Sequence, residues 1–524
     1  MSEPVAFGAL WAQAVAAGPA RPFLRFEAPD GSVAEWTYGE FDQLVARMAA
    51  ELHDHGVGPG VAVHLALTNC PTFVVAWLAT VRLGGWIVPS DPMGRTPEFA
   101  EHIERTAPAV GFCSRDRRDL YAPALGDRPL FPIDEADADL AWLPAEPFTE
   151  WPAPAPSDRA AVMFTSGTTG RPKGVVITQA NYAFAGQTMA AAAGLGADDR
   201  QLVVLPLFHA NAQYYSFASA IAVGASVALM HTFSASGFVG QAARHGATHA
   251  SLFAGPIRMI LARGGPLPGD AVPPLRLRHC WYAQNLSDDQ FATLGEWLGC
   301  RPRQLYGMTE TIPAVLTDSA DDPLPNAMGF VTEGCAVEIH DEHGVPCPPG
   351  EVGEVVVRGR AGVELFDGYL ADPATTAASF RGGWFRTGDR AWRDAGGRHF
   401  FDGRRADVLK VSGENVSVVE VETVIDAHPG VHDVVVVGAP DPIRDEVPVA
   451  FVVPSTGGTD PADRAALAAE LADWCAARLG KAKRPHRFQI VDELPRTSVG
   501  KVRKFLLADA AAALDPSFPP QEAS

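Results

Sequence analysis

Ala161-Val162-Met163-Phe164-Thr165-Ser166-Gly167-Thr168-Thr169-Gly170-Arg171-Pro172-Lys173-Gly174 runs from an apolar tetrapeptide straight into a loop of glycines and hydroxyls. The first four residues suit a strand buried on both faces. In the loop, three glycines free the backbone to bring N–H groups onto one anion. Four hydroxyls add donors, and Lys173 adds a point charge. Such a loop suits phosphate. It is not a Walker loop, because the G-x-x-x-x-G-K-[ST] spacing occurs neither here nor at Gly500-Lys501. The same composition also suits a flexible polar loop, and the stretch alone does not choose between the two. Asn181 to Gly194 reads as the helix beyond it.

Outward from this unit, Leu202-Val203-Val204-Leu205 is a second buried strand ending at Pro206. Val337-Glu338-Ile339 and Glu354-Val355-Val356-Val357 flank a turn at Gly344 to Pro349 and mark a β-rich section. Near the C-terminus, Val434–Val437 and Val449–Val453 read as strands, and Ala465–Leu479 as an Ala/Leu-rich helix. With 50 Gly and 44 Pro punctuating such segments, the expectation is an α/β protein with many tight connections. Trp151–Ser157 reads as a surface connection. The polar hexapeptide Asp402-Gly403-Arg404-Arg405-Ala406-Asp407 reads as a domain junction, and the residues after Ala510 as a disordered end.

At roughly 100–200 residues per domain, 524 residues suggest about three folding units, or one large and one small. A net charge of −20 argues against nucleic acid as the main partner, since phosphate backbones need a basic face. Seven cysteines, scattered and never in a C-x-x-C pair, suit a reducing compartment with neither a disulfide framework nor a zinc site. The start Met1-Ser2-Glu3-Pro4 carries no secretory pattern. The longest apolar stretch, Phe73 to Val88, is interrupted by Arg82 and Gly84-Gly85 and is too short to span a bilayer. The expectation is a cytoplasmic protein with no membrane association.

Four further segments carry chemistry. Tyr306-Gly307-Met308-Thr309-Glu310 gathers a ring, a hydroxyl and a carboxylate within five residues. Trp384-Phe385-Arg386-Thr387-Gly388-Asp389 ends in a carboxylate suited to a vicinal diol. Asp402-Gly403-Arg404 adds a cation, and Leu494 to Lys501 ends in a lysine on a glycine-flanked loop. Each alone has a plainer reading: Tyr306 as core, Glu310 and Asp389 as solvated carboxylates, Lys501 as a surface charge. Together, and in this order, they form a specific pattern.

With these segments the chain resembles the adenylate-forming superfamily of acyl-CoA synthetases, nonribosomal adenylation domains and luciferases. The resemblance runs from Trp36-Thr37-Tyr38 and Leu83-Gly84-Gly85-Trp86-Ile87-Val88-Pro89 to Lys501. Leu205-Pro206-Leu207-Phe208-His209, Tyr306 to Thr311 and Gly413-Glu414-Asn415-Val416-Ser417 look most like carnitine/crotonobetaine-type CoA ligases. The resemblance implies a large N-terminal domain (1–403) of βαβ subdomains plus a β-rich subdomain. A hinge at 404–407 and a small mobile α+β C-terminal domain (408–524) would come after it.

It also implies activation of a small organic acid with ATP and Mg²⁺ to an acyl-adenylate, releasing pyrophosphate, and then transfer to CoA. On this pattern Thr165, Ser166, Gly167, Thr168, Thr169, Gly170 and Lys173 would cradle the β- and γ-phosphates. Tyr306 would stack on adenine, and Gln304 would read its amino group. Thr309 would touch the α-phosphate, and Glu310 would help hold Mg²⁺, a hard cation that prefers oxygen. Asp389 would bind both ribose hydroxyls beside Arg404. Lys501 would be the catalytic cation, placed where carboxylate and α-phosphate meet and charge develops on the bridging oxygen.

His209 would border the acyl pocket and gate the carboxylate. A lone histidine is elsewhere more often structural. Tyr214, Tyr282, Ala283, Gly307 and Met308 are expected to line the pocket. Tyr214, Tyr215, Trp281 and Tyr282 suit either an aromatic wall, including a cage for a quaternary ammonium, or core. Gly413 and Arg444 would meet CoA. Three positions depart from the pattern. Tyr282-Ala283-Gln284-Asn285 replaces a Gly-Ala-Pro-like segment, Ala406 stands at the usual hinge position, leaving Asp407 as a pivot, and Val499 replaces a serine. A carrier-protein thiol, or nitrite activation for aryl-amine diazotisation, remains open as the alternative acceptor chemistry. A homodimer is compatible with this reading.

Overall fold

Residues 161–164 lie in a strand, Arg159–Thr165, with Ala160 to Val162 fully shielded. The chain then turns back into an antiparallel strand, Lys173–Thr178, which pairs Thr165 with Lys173. This second strand is absent from the sequence reading, although Gly174-Val175-Val176-Ile177 is itself an apolar run. The expected helix is present as Gln179–Ala193. Thr178 caps it reciprocally. The Asn181 N–H donates to the Thr178 hydroxyl at 3.1 Å, and the Thr178 N–H donates to Asn181 Oδ1 at 3.0 Å. Gly194, in the left-handed region at φ 62°, ends the helix. These positions come from a computed structural model that describes residues 3–165, 172–266, 273–283, 285–404, 408–411, 414–441, 445–455, 460–479, 483–496 and 502–513.

By packing, the chain divides into two compact units, residues 1–338 with 356–386, and residues 339–355 with 387–524. The expected α/β class is what the structure has. In the first unit a seven-stranded sheet runs Gly368–Tyr369, Lys173–Thr178, Arg159–Thr165, Trp86–Pro89, Ala62–Ala66, Val110–Ser114, Leu130–Ile133. Its last five strands are parallel, as crossover helices require. A second sheet runs Ala327–Val331, Leu316–Thr317, Arg303–Tyr306, His279–Ala283, His249–Phe253, Arg200–Val203, Ser226–Met230, Pro22–Glu27, Val33–Thr37. It is parallel from Arg303–Tyr306 to Pro22–Glu27. One continuous core joins these layers through Phe7, Trp11, Trp77, Tyr182 and Phe217. Helix Pro71–Arg82 is buried on nearly every side, which explains why Phe73 to Val88 reads as an apolar run. Among the described residues no helix is long and apolar enough to cross a membrane.

The second unit holds a five-stranded sheet. Val431–Asp441 and Asp445–Pro454 form its long antiparallel pair, containing both strands expected at 434–437 and 449–453. Helix Pro461–Ala476 packs Leu471 and Cys475 against Val436 and Val452. The expected strands at 337–339 and 354–357 are present as Ala336–His340 and Gly353–Arg358. The packing division falls in this β-rich section, upstream of the hexapeptide Asp402–Asp407. Residues 405–407 of the expected hinge lie outside the described residues.

A buried polar chain lies within the first unit. The Ser90 hydroxyl is 3.0 Å from His64 Nε2 and 2.7 Å from His102 Nδ1, and the Tyr121 hydroxyl is 2.7 Å from His64 Nδ1. Burial pushes His102 down to about 4 and holds His64 well below its usual value. An unfolded chain protonates His102 near pH 6.5, the folded one only near pH 4. Stability is therefore fully present above 6.5 and is lost as pH falls through that window. The melting temperature, followed by fluorimetry from about pH 7 to about pH 4.5, is expected to drop, and to drop less in His102→Gln. Parallel curves for the two proteins would contradict this.

Candidate functional site

The pairing of Thr165 with Lys173 makes the glycine-rich stretch a hairpin connection whose ends lie side by side. The Thr165 hydroxyl donates to the Lys173 carbonyl at 3.5 Å. Ser166, Gly167, Thr168, Thr169 and Gly170 lie outside the described residues. Both flanks of the connection are held by helix Thr96–Thr106, which the sequence reading does not single out. His102 stacks on Phe164 with centroids 4.0 Å apart and planes 6° apart. The Arg105 guanidinium lies 4.8 Å from the same ring and donates to the Pro172 carbonyl at 2.6 Å.

The second chemistry-bearing segment leaves the parallel sheet at the end of strand Arg303–Tyr306. Gly307 has no room for a side chain. A Cβ there would lie 2.9 Å from the Pro313 carbonyl oxygen and 3.0 Å from the Tyr215 hydroxyl. Thr309–Thr311 forms one tight turn, closed by the Met308 N–H donating to the Thr311 hydroxyl at 3.0 Å. Ile312 comes next at φ 68°, a left-handed conformation that a β-branched residue adopts only at a cost in energy. The turn thereby holds the backbone at Thr309 and Glu310 in one place.

Gln304, two residues before Tyr306, is 2% exposed. Its Nε2 donates to Asn285 Oδ1 at 3.1 Å, while Oε1 has no partner among the described residues. A buried acceptor without a donor is costly, and an incoming amino group would satisfy it. Glu310 is 5% exposed and accepts a hydrogen bond from the Tyr369 hydroxyl at 3.0 Å. The Lys173 ammonium lies 4.8 Å from the centroid of the same Tyr369 ring. The expected phosphate lysine and the expected metal carboxylate therefore meet on one tyrosine, which sequence reasoning missed.

His209 is half-buried, its ring 4.2 Å from that of Phe208. Its backbone N–H donates to the Pro206 carbonyl at 3.1 Å. Asn69 holds the preceding segment, donating to the carbonyls of Leu205 and Met230 and accepting from the Leu207 N–H. Beyond it, Asn211–Ala218 forms a π-helical stretch. Asn211 is 4% exposed with neither amide atom partnered among the described residues.

The aromatic residues expected at the pocket are deeply buried. Tyr214 is fully buried and packs edge-on against Tyr182. Tyr282 is equally buried, and its hydroxyl donates to the carbonyls of Leu324 and Pro325. Trp281 sits edge-on to His279 at 4.3 Å with Arg303 over its face. The Tyr282 hydroxyl is thus met by protein, whereas Trp281 Nε1 has no partner among the described residues. Ala283, at the end of strand His279–Ala283, and Gly307 and Met308 are half-buried.

In the second unit, Asp389 is 3% exposed and pairs across two antiparallel strands with Arg404. Gly388, inside strand Trp384–Arg393, has φ 76°, a conformation that a side chain would resist. Its N–H donates to Glu354 at 3.1 Å, and the Thr387 hydroxyl donates to the Val355 carbonyl at 2.7 Å. Gly413, Arg444 and Lys501 lie outside the described residues.

Two family descriptions match this chain, "AMP-binding enzyme" over residues 11–370 and "AMP-binding enzyme C-terminal domain" over residues 420–501. A crotonobetaine/carnitine–CoA ligase of Escherichia coli is 34% identical over 496 residues, covering 91% of this chain and 93% of that protein. Among solved structures, the O-succinylbenzoate–CoA synthetase of Bacillus subtilis in complex with AMP superposes with a TM-score of 0.81 at 27% identity, covering 99% of each chain. ATP-bound MatB of Rhodopseudomonas palustris gives 0.83 at 25% identity over 97% of this chain and 100% of that one.

Proposed function

This chain belongs to the AMP-binding enzyme family, and from that membership we propose how its own residues divide the work of an AMP-forming acid–CoA ligase. The enzyme activates a small organic acid with ATP and then passes the acyl group to CoA. The observation that carries the assignment of roles is the meeting of Lys173 and Glu310 on Tyr369. One anchors phosphate charge, and the other offers a hard oxygen to a cation bound with it. Glu310 would offer Mg²⁺ a carboxylate oxygen, the hard donor that this cation prefers, and the Thr309 hydroxyl would touch the α-phosphate. When bound, Mg²⁺ neutralises phosphate charge.

Tyr306 stacks on adenine, and Gln304 Oε1 accepts from its amino group. Asp389 takes the ribose hydroxyls, with Arg404 beside it. Thr165 to Lys173 cradles the terminal phosphates, Gly413 and Arg444 meet CoA, and His209 gates the carboxylate. The small domain, 408–524, turns about 404–407 between the two half-reactions, so that Lys501 serves the first and withdraws for the second. The unpartnered amide of Asn211, two residues beyond His209, favours an acid that itself carries a hydrogen-bonding group. The scattered cysteines favour the cytoplasm.

The test is incubation with ATP, Mg²⁺ and a panel of acids, with and without CoA, following AMP, pyrophosphate and thioester. A thioester that depends on one class of acid supports the ligase. AMP without thioester from every acid would overturn it, and product from a carrier-protein thiol, or from nitrite with an aryl amine, would identify the acceptor instead. For Gln304→Leu, KM for ATP is expected to rise about three- to tenfold, the worth of one hydrogen bond. An unchanged KM would remove Gln304 from the adenine pocket.

A further inference from the structure

Residues 366–370 form a brace between two elements that carry opposite charges. Gly368–Tyr369 pairs antiparallel with Val176 and Val175, on the strand that begins at Lys173. The Leu370 N–H donates to the Gly174 carbonyl at 2.7 Å. On the other side, the Phe366 N–H donates to the Glu310 carbonyl at 3.0 Å, tying the brace to the Thr309–Thr311 turn. Tyr369 is fixed within it, its own N–H donating to the Thr376 hydroxyl at 2.9 Å and its ring lying 4.9 Å from that of Phe366.

The side chain faces both charges. Its hydroxyl donates to Glu310 Oε1 at 3.0 Å, and its ring lies 4.8 Å from the Lys173 ammonium. The ring face is the negative end of the aromatic quadrupole, so it attracts the ammonium. The hydroxyl occupies one carboxylate oxygen and fixes the orientation of the carboxylate. Resting on the roles proposed for Lys173 and Glu310, we propose that Tyr369 is a positioning residue with two separable duties. Its hydroxyl sets Glu310 for the divalent cation, and its ring sets Lys173 for the nucleotide phosphates.

The two duties separate in two variants of the full-length protein. Tyr369→Phe keeps the ring and deletes the hydroxyl, whereas Tyr369→Leu deletes both. Binding of Mn²⁺ with ATP and no acid, read by electron paramagnetic resonance, gives the metal constant, and calorimetry without metal gives the ATP constant. Tyr369→Phe is expected to weaken Mn²⁺ about tenfold, the loss of a hydrogen bond to a charged group, and to leave metal-free ATP binding in place. Tyr369→Leu is expected to weaken ATP as well, about fivefold. Metal binding by Tyr369→Phe equal to that of the parent overturns the proposal. So does a lowered melting temperature in both variants with both constants unchanged, the mark of a purely structural tyrosine. A parent protein that binds Mn²⁺ and ATP yet activates no acid would overturn the ligase reading alone, and a parent that binds neither would overturn both.

Discussion

Lys501→Ala is expected to lower acyl-adenylate formation about 100- to 1,000-fold, the usual cost of removing one preorganised group from a developing negative charge. Thioester formation from supplied acyl-adenylate should be largely kept. In the first half-reaction a carboxylate must approach an α-phosphate, so two anions meet and a third charge grows on the oxygen between them. A cation held at that oxygen lowers the barrier more than it stabilises either reactant. Lys501 lies outside the described residues, but both sides of its segment are anchored. Arg496 and Val502 form an antiparallel bridge, and the Arg503 N–H donates to the Pro495 carbonyl at 2.7 Å. Arg496 is ion-paired with Asp433. Pyrophosphate exchange measures the first step, and thioester release from synthetic adenylate measures the second. Equal losses in both would remove Lys501 from the role given to it.

Glu310→Gln is expected to lower turnover about 100-fold and to raise the Mg²⁺ concentration for half-maximal rate at least about tenfold, since a hard dication loses a charged ligand for a neutral one. The fold should not suffer. The amide keeps the shape of the side chain, its oxygen still accepts from Tyr369, and a neutral group costs less to bury than a carboxylate at 5% exposure. The melting temperature is therefore expected to hold or rise while activity falls. A fall in melting temperature that parallels the loss of activity would make Glu310 a structural residue. Magnesium titration of AMP release, run beside thermal melts, distinguishes the two.

Much of the first unit is legible because its signals are local. The apolar run 161–164 and the Gly194 end of helix Gln179–Ala193 each declare themselves within a few residues. The strand Lys173–Thr178 escapes the same reading because the glycines and lysine of the loop mask the apolar run that comes after them. The aromatic residues are ambiguous for a different reason. Tyr214 and Tyr282 have the composition of a pocket wall, but a phenol is also a good core residue where its hydroxyl finds a partner. The carbonyls that receive Tyr282 belong to residues 324 and 325, far along the chain.

The family, the order of the chemistry-bearing segments and the identity of the charges are all written in the amino-acid chain, because they reside in residue types at short spacings. Which groups meet is settled only on folding. Tyr369 is 59 positions from Glu310, and no spacing rule relates it to Lys173, yet sheet pairing with Val175 and Val176 brings its ring and hydroxyl to both. His102 and Arg105 reach Phe164 and Pro172 in the same way, across the face of a parallel sheet. Contacts of this kind depend on the register and layering of distant strands, which short stretches of sequence do not encode.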